Sequence, residues 1–483
     1  GVKMAGNKAL ITDVLKKRMG FDGIVLGDWN AHGQVPGCTN EDCAAAYNAG
    51  LDMLEAPDSW KGLYRNTLAE VKSGAIPMSR VDDAVTRILR VKMRLGMFKQ
   101  GLPSQNPLAR SSAQVIGSAA HRAVARRAVR ESLVLLKNRG HLLPLAPGQR
   151  VLVAGDGADD VGKQSGGWTL NWQGTGTRRA DFPHAQTIWE GLAEQILAAG
   201  GTPELAADGR YAHRPDVAIV VFGEDPYAEF QGDLPNLRYK PGDDTDLRLL
   251  RRLKGEGIPV VAVFLSGRPL WVNREINASD AFVAAWLPGS EGGGIADVLL
   301  RAADGSVQHD FHGKLGFSWP RRADQYANNV GQADYDPQFA FGYGLGYADA
   351  GDLAPLSEDP GSAGEQAAAG VYFARGQAAP GYALQLAGAD GAPQAVAALP
   401  AGLTDGSLTL TALDHLAQED ARALHWSGEA AATARLQALA AQDIEREANG
   451  DMLLVLTLRL DAAPVAPVAL GVGCGPECGG EIA

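Results

Sequence analysis

Apolar and polar positions change period in blocks along the first hundred residues. Leu10 to Arg18 carries helical spacing, Gly23 to Leu26 is a continuous apolar run of strand length, Asn40 to Ala49 returns to helix, and Leu51 to Leu54 is a second short strand. A further helix is predicted from Ser79, with Asp82 at capping-box spacing and Val81, Val85, Ile88, Leu89 and Leu95 on one face. Strands separated by helices predict parallel pairing. After a Gly- and Pro-bearing segment from Gly101 to Pro107, Ala119 to Lys137 reads as helical. Four apolar strands follow, Arg150 to Ala154, Val217 to Phe222, Val260 to Leu265 and Ala281 to Trp286, with helices predicted at Ile188 to Ala199, Asp246 to Lys254 and Gly292 to Leu300. That alternation predicts an open parallel sheet covered on both faces, with ligands gathering at the carboxyl ends of its strands, where Glu224, Glu229, Ser266 and Glu291 fall.

From about Asp352 the chain turns rich in Ala, Gly and Pro, and Ser407 to Thr411 and Met452 to Leu460 alternate in the manner of antiparallel strands. The expected organisation is α/β, with the C-terminal part of a TIM-type barrel at 1–100, a linker at 101–116, a parallel α/β sandwich domain at 117–350, a linker at 351–365 and a jelly-roll-like β-sandwich at 366–483. A closed (β/α)8 barrel takes about 250 residues. The first block has room for two strand and helix units, so a partial barrel, truncated at its amino end, is expected.

Composition narrows the partners. With 46% hydrophobic residues the 483-residue chain can build several cores. A net charge of -12 is the wrong sign for a phosphate backbone, so no nucleic acid partner is expected. No apolar run is long enough to span a membrane, and no signal peptide is visible. The four cysteines form two close pairs, Cys38 with Cys43 and Cys474 with Cys478, without histidines at zinc spacing; two small-loop disulfides are expected, no metal, and a periplasmic or secreted location. Gly155-Asp-Gly157 lacks the remaining glycine of a dinucleotide fingerprint, and Ser266 and Ser290 lack a nucleophile elbow, so neither a cofactor nor serine chemistry is expected. His32, His121 and His184 are too scattered to form a ligand set.

Two carboxylates stand where apolar strands end: Asp28 after Gly23-Ile-Val-Leu-Gly, and the Gly223-Glu224-Asp-Pro-Tyr227-Ala-Glu229 segment. Paired acids flanking a cleft are what a glycosidase needs, one attacking the sugar carbon and the other protonating the leaving oxygen. Trp29 follows the first acid, and Trp168 and Trp172 lie in a glycine-rich loop, an arrangement suited to stacking on sugar rings. Core packing is the alternative reading of such rings, expected for Trp286 on its apolar strand and as open as sugar stacking for Trp168.

These motifs, with Ala49 to Met53, Leu133 to Asn138, Gly166 to Gly174, Ser266 to Pro269, Ala285 to Gly292 and Phe341 to Leu345, follow the order seen in glycoside hydrolase family 3. Over about residues 1 to 347 the chain resembles the exo-β-1,3/1,4-glucanase and β-glucosidase subgroup. The resemblance implies a retaining, exo-acting enzyme that releases glucose from β-glucosides or β-glucan oligosaccharides. It implies Asp28 as nucleophile and Glu229 as acid/base, preferred over Glu224, which becomes a substrate-binding candidate beside Trp29, Trp172 and Trp168. Asp28 is expected to stay ionised, and Glu229, partly desolvated by the sugar, to be protonated near neutral pH. The sugar-gripping residues of the family's earlier barrel strands have no counterpart here, which leaves the chain by itself expected to be inactive. A non-catalytic carbohydrate-binding or scaffold fragment, or a β-xylosidase, stands as the alternative.

Overall fold

The computed structural model describes residues 3–109, 115–229, 231–234, 236–361, 371–374, 376–379, 381–389, 392–413, 421–427, 430–440, 455–462, 464, 467–475 and 478–482. The chain divides into two compact units, Gly1–Ser118 and Ala119–Ala483.

In the first unit strand β1 (Leu26–Trp29) pairs in parallel with β2 (Met53–Glu55), Leu26 opposite Met53 and Trp29 opposite Glu55. The ladder therefore starts three residues later than the apolar run suggested, and Asp28 is a strand residue. The amides of Asp52 and Met53 both reach the Val25 carbonyl, so the run before Leu26 is tied to the sheet without joining its ladder. The helix expected from Asn40 begins only at Ala44, because the Cys38–Cys43 disulfide and a Thr39–Asp42 bridge hold the preceding residues in a tight loop. Helices Trp60–Ser73 and Met78–Arg94 follow. The first was not foreseen, and the second starts after Pro77 rather than on a Ser79 cap: proline's fixed φ suits a helix start, and no side chain caps it. Of the face expected to be apolar and covered, Val85 and Leu89 are exposed, and Ala84 is buried instead.

A buried charge cluster anchors this unit. Lys16 donates to Asp52 at 2.7 Å and Arg80 bonds the same carboxylate, whose other oxygen accepts the Val25 amide at 2.8 Å. Asp83 joins through Lys16, Arg80 and Arg87. Breaking such a network at one partner strands a buried charge and costs about 3–5 kcal/mol.

The second unit is built on a six-stranded sheet whose strands are β3 (Val134–Asn138), β4 (Arg150–Ala154), β5 (Thr202–Leu205), β6 (Val217–Gly223), β7 (Val260–Leu265) and β8 (Ala281–Trp286), arranged in the order β3-β8-β7-β6-β4-β5. All pairs are parallel except β3 with β8. The helical reading of Ala119 to Lys137 thus fails over its last five residues. The helix ends at Ser132, and the apolar run after it, buried on both faces, is used as an edge strand. Strand β5 was also missed, since Thr202-Pro-Glu-Leu205 carries no continuous apolar signal.

One sheet face packs Val153, Val221, Val263 and Val283 against Ile188, Leu192, Ile295 and Leu299 of two covering helices. The other is aromatic: Phe264 lies 5.1 to 6.5 Å from the rings of Tyr239, Phe222, Phe282 and Trp319. Trp286, expected in the core, is half-buried, with its indole N–H on the Ser132 carbonyl and its ring beside Phe317 and Trp319.

Toward the carboxyl end, Tyr382–Gly388 pairs antiparallel with Gln394–Ala395 and Ala432–Ala438, and Leu408–Leu413 with Ala401–Gly402 and Ala421–Trp426. Leu386 from the first sheet meets Leu408 and Leu410 from the second in a small core. The strand expected at Met452 to Leu460 is not formed over 455–460, and 452–454 lie outside the described residues. Among the described residues no helix is long and apolar enough to cross a membrane.

Candidate active site

Asp28 is the third residue of β1 and exposed, its Oδ1 accepting the Trp29 amide at 2.7 Å. Trp29 is exposed as well, so the sequence-predicted acid and its neighbouring indole both reach solvent at the end of a parallel strand.

In the second unit the sheet ends bring together two loops. One runs from Gly166 to Gly176, the other from Glu224 to Gly232 at the end of β6. The first is tightly wound: Trp168 and Leu170 both hold positive φ, and the Trp168 amide donates to the Trp172 carbonyl at 2.8 Å. This turn sets the two indoles 6.2 Å apart and aims both ring N–H groups at one atom, Oε2 of Glu229, at 3.1 Å from Trp168 and 2.5 Å from Trp172. Buried Gln173 fastens the loops further, accepting the Ala228 amide at 2.7 Å and donating to the Glu229 carbonyl at 3.2 Å. Gly167 lies flat against the Tyr227 carbonyl.

The neighbours of Glu229 set the electrostatics of its free carboxyl. The Trp172 indole, with help from Trp168, holds its carboxyl below the usual range, because both donors favour the anion. The side chain is exposed, so little desolvation opposes them. Held in this way the unliganded carboxyl favours its anion, whereas the protonated form expected from the sequence belongs to the site with a sugar bound.

Glu224, the other glutamate of the segment, is engaged by protein groups. Arg268 grips it with a two-pronged pair, Nη2 at 2.7 Å and Nε at 3.1 Å from Oε1. Ser266 Oγ lies 2.9 Å and the Tyr227 hydroxyl 3.3 Å from Oε2. Burial and this anion push the Tyr227 hydroxyl up to about 12. Glu291, also expected at a strand end, is buried in an ion pair with Arg122 at 2.7 Å. His32 is buried with Nε2 on the Asn40 carbonyl.

Sequence reasoning missed Gln173, Arg268 and Gly167. All three lie inside quoted motifs, Gly166 to Gly174 and Ser266 to Pro269, but their roles rest on contacts between loops that the motifs do not display. The Cys38–Cys43 pairing is present, while the side chains of Cys474 and Cys478 lie outside those described. Cavities of about 590 and 400 Å3 open beside Gly155 and Asp156, at the carboxyl ends of β4 and β5, and neither is lined by Glu229. Glu229 is exposed to solvent instead.

Comparison with known proteins gives the same reading from outside. Residues 133–347 match the glycosyl hydrolase family 3 C-terminal domain, residues 1–91 the N-terminal domain of that family, and residues 382–483 a galactose-binding domain-like family. A lysosomal beta glucosidase of Dictyostelium discoideum is 31% identical over 376 residues, covering 72% of this chain and 44% of that protein. A periplasmic beta-glucosidase of Salmonella typhimurium is 30% identical over 407 residues, covering 72% and 51%. The chain thus spans about half the length of the curated relatives it matches. Among solved structures, the exo-1,3/1,4-beta-glucanase of a Pseudoalteromonas species superimposes with a TM-score of 0.73 at 47% identity, covering 90% of this chain and 53% of that one.

Proposed function

The chain belongs to glycoside hydrolase family 3, and from that premise we propose that it serves a retaining, exo-acting β-glycosidase that releases glucose from β-glucosides or β-glucan oligosaccharides. The observation that carries this is the carboxylate of Glu229 gripped by two indole N–H groups on an open loop. It supplies a proton carrier and sugar-stacking surfaces together. The names of the relatives favour glucose over xylose and an enzyme over a scaffold. On this reading residues 1–100 are strand and helix units of a (β/α)8 barrel, in keeping with the parallel pairing of β1 and β2. The Cys38–Cys43 disulfide supports a periplasmic or secreted location.

In the proposed reaction the Asp28 carboxylate attacks the anomeric carbon while the bond to the leaving sugar breaks. The bonding pair departs with the glycosidic oxygen, which takes the proton of Glu229. Water then attacks the glycosyl ester, giving its proton to Glu229 and its oxygen to the anomeric carbon, and the Asp28 carboxylate is released. Two inversions leave the β-configuration retained. Because the indoles favour the anion of Glu229, a bound sugar must supply the desolvation that raises its proton affinity for the first step. Trp29 and Trp172 are the proposed stacking surfaces for the sugar beyond the cleaved bond, and Trp168 lies 6.2 Å from Trp172.

The test is to incubate the full-length protein, with its complete barrel, with an activated 2-fluoro-glucoside and map the adduct by peptide mass spectrometry. The expected label is on Asp28. A label on another carboxylate sinks the nucleophile assignment, and a product of inverted configuration sinks the reaction class.

A further inference from the structure

We propose that Arg268 is the positioning residue of the loop that carries Glu229, acting through Glu224, Tyr227 and Gly232 rather than through the acid itself. The inference rests on the reading of Glu229 as acid/base. One guanidinium, carried on a different strand end, touches the loop at its beginning, middle and end. Its Nη2 and Nε pair with Glu224, its carbon lies 4.2 Å from the centre of the Tyr227 ring, and its Nη1 donates to the Gly232 carbonyl at 2.5 Å. Ser266 braces the same corner, 2.9 Å from Glu224 and 2.6 Å from the Arg268 carbonyl.

The Arg268 and Glu224 side chains are 22% and 12% exposed, so the pair is held largely out of water, where a forked pair keeps its geometry. Lysine, a point charge, cannot hold all three points at once. Glycines make the close fit possible. A methyl carbon at Gly232 would lie 2.4 Å from the Tyr227 ring, and one at Gly223 would lie 1.9 Å from the Leu265 carbonyl oxygen. Glu224 is thus spent as a fixed anion, which explains why two glutamates in one short segment carry different duties.

The experiment compares Arg268→Lys and Arg268→Met with the wild-type protein. Amide hydrogen exchange over 224–234 is expected to quicken about tenfold or more in the Met variant and less in the Lys variant, with the central strands unchanged. Unchanged exchange of that segment in both overturns the proposal. Hydrolysis is then read with two aryl β-glucosides. Dinitrophenolate leaves without a proton and should slow by no more than about threefold, whereas phenol needs the acid and should slow by about 10 to 100-fold. Equal losses on both substrates mean a merely structural role and also overturn it. Glu229→Gln is run in parallel. If it shows no such split between leaving groups, the acid/base reading is what has failed, and the exchange result still decides the anchoring role of Arg268.

Discussion

Gly167→Ala tests whether the two loops around Glu229 work as one unit. A methyl carbon built at Gly167 falls 1.9 Å from the Tyr227 carbonyl oxygen and 2.6 Å from its carbon, and real side chains do not approach closer than 3.0 Å. Both obstacles are backbone, so no rotamer change relieves the clash and the loops must part by about 1 Å. The Trp168 bond to Glu229, at 3.1 Å, would stretch to about 4 Å and cease to be a hydrogen bond. Misplacing a catalytic group by that distance costs up to about 10²-fold in rate. The overpacking itself costs about 1–3 kcal/mol of stability, which leaves the sheet folded. The assay is kcat/KM on phenyl β-glucoside, with circular dichroism checking the fold. A value within about twofold of wild type, on a folded variant, would refute the claim that this contact sets the acid's geometry.

Other expectations follow from single contacts. Trp168→Phe keeps the ring but removes one donor from Glu229, so its carboxyl pKa rises and the alkaline limb of the kcat/KM profile moves to higher pH; a limb that stays put or moves down argues against the indole effect. Glu275 is buried and its pKa is raised from 4.5 to about 7 by desolvation. The folded state therefore binds the extra proton, and stability should fall by on the order of 3 kcal/mol as pH rises from about 4.5 to about 7. Glu275→Gln should flatten that slope in thermal melts, and an unchanged slope rules this residue out as its source. Phe264→Ala empties the centre of the aromatic cluster and should cost about 3–5 kcal/mol in urea denaturation.

What could be read from the chain depended on how much of the signal was local. Strands β4, β6, β7 and β8 are buried on both faces, and such strands are written as unbroken apolar runs, so their positions were legible. Strand β3 was taken for the end of a helix because an edge strand and a buried helix turn look alike over so short an apolar run. The register of β1 was misread for a related reason: its ladder is set by where β2 lies, not by its own hydrophobicity. Glu229 and the tryptophans stood out as chemical types. That both indoles would converge on one oxygen, and that Glu224 would be consumed by Arg268, depends on two positive-φ residues and on contacts between separate loops, which no local pattern encodes.

The convergence of both indoles on Oε2 makes the two oxygens of Glu229 unequal. A carboxylate loaded at one oxygen has unequal carbon–oxygen bond orders, so its symmetric and antisymmetric stretches move apart. Isotope-edited infrared spectroscopy could then follow this one group through a turnover, its band separation narrowing whenever an arriving ring pulls the indoles away.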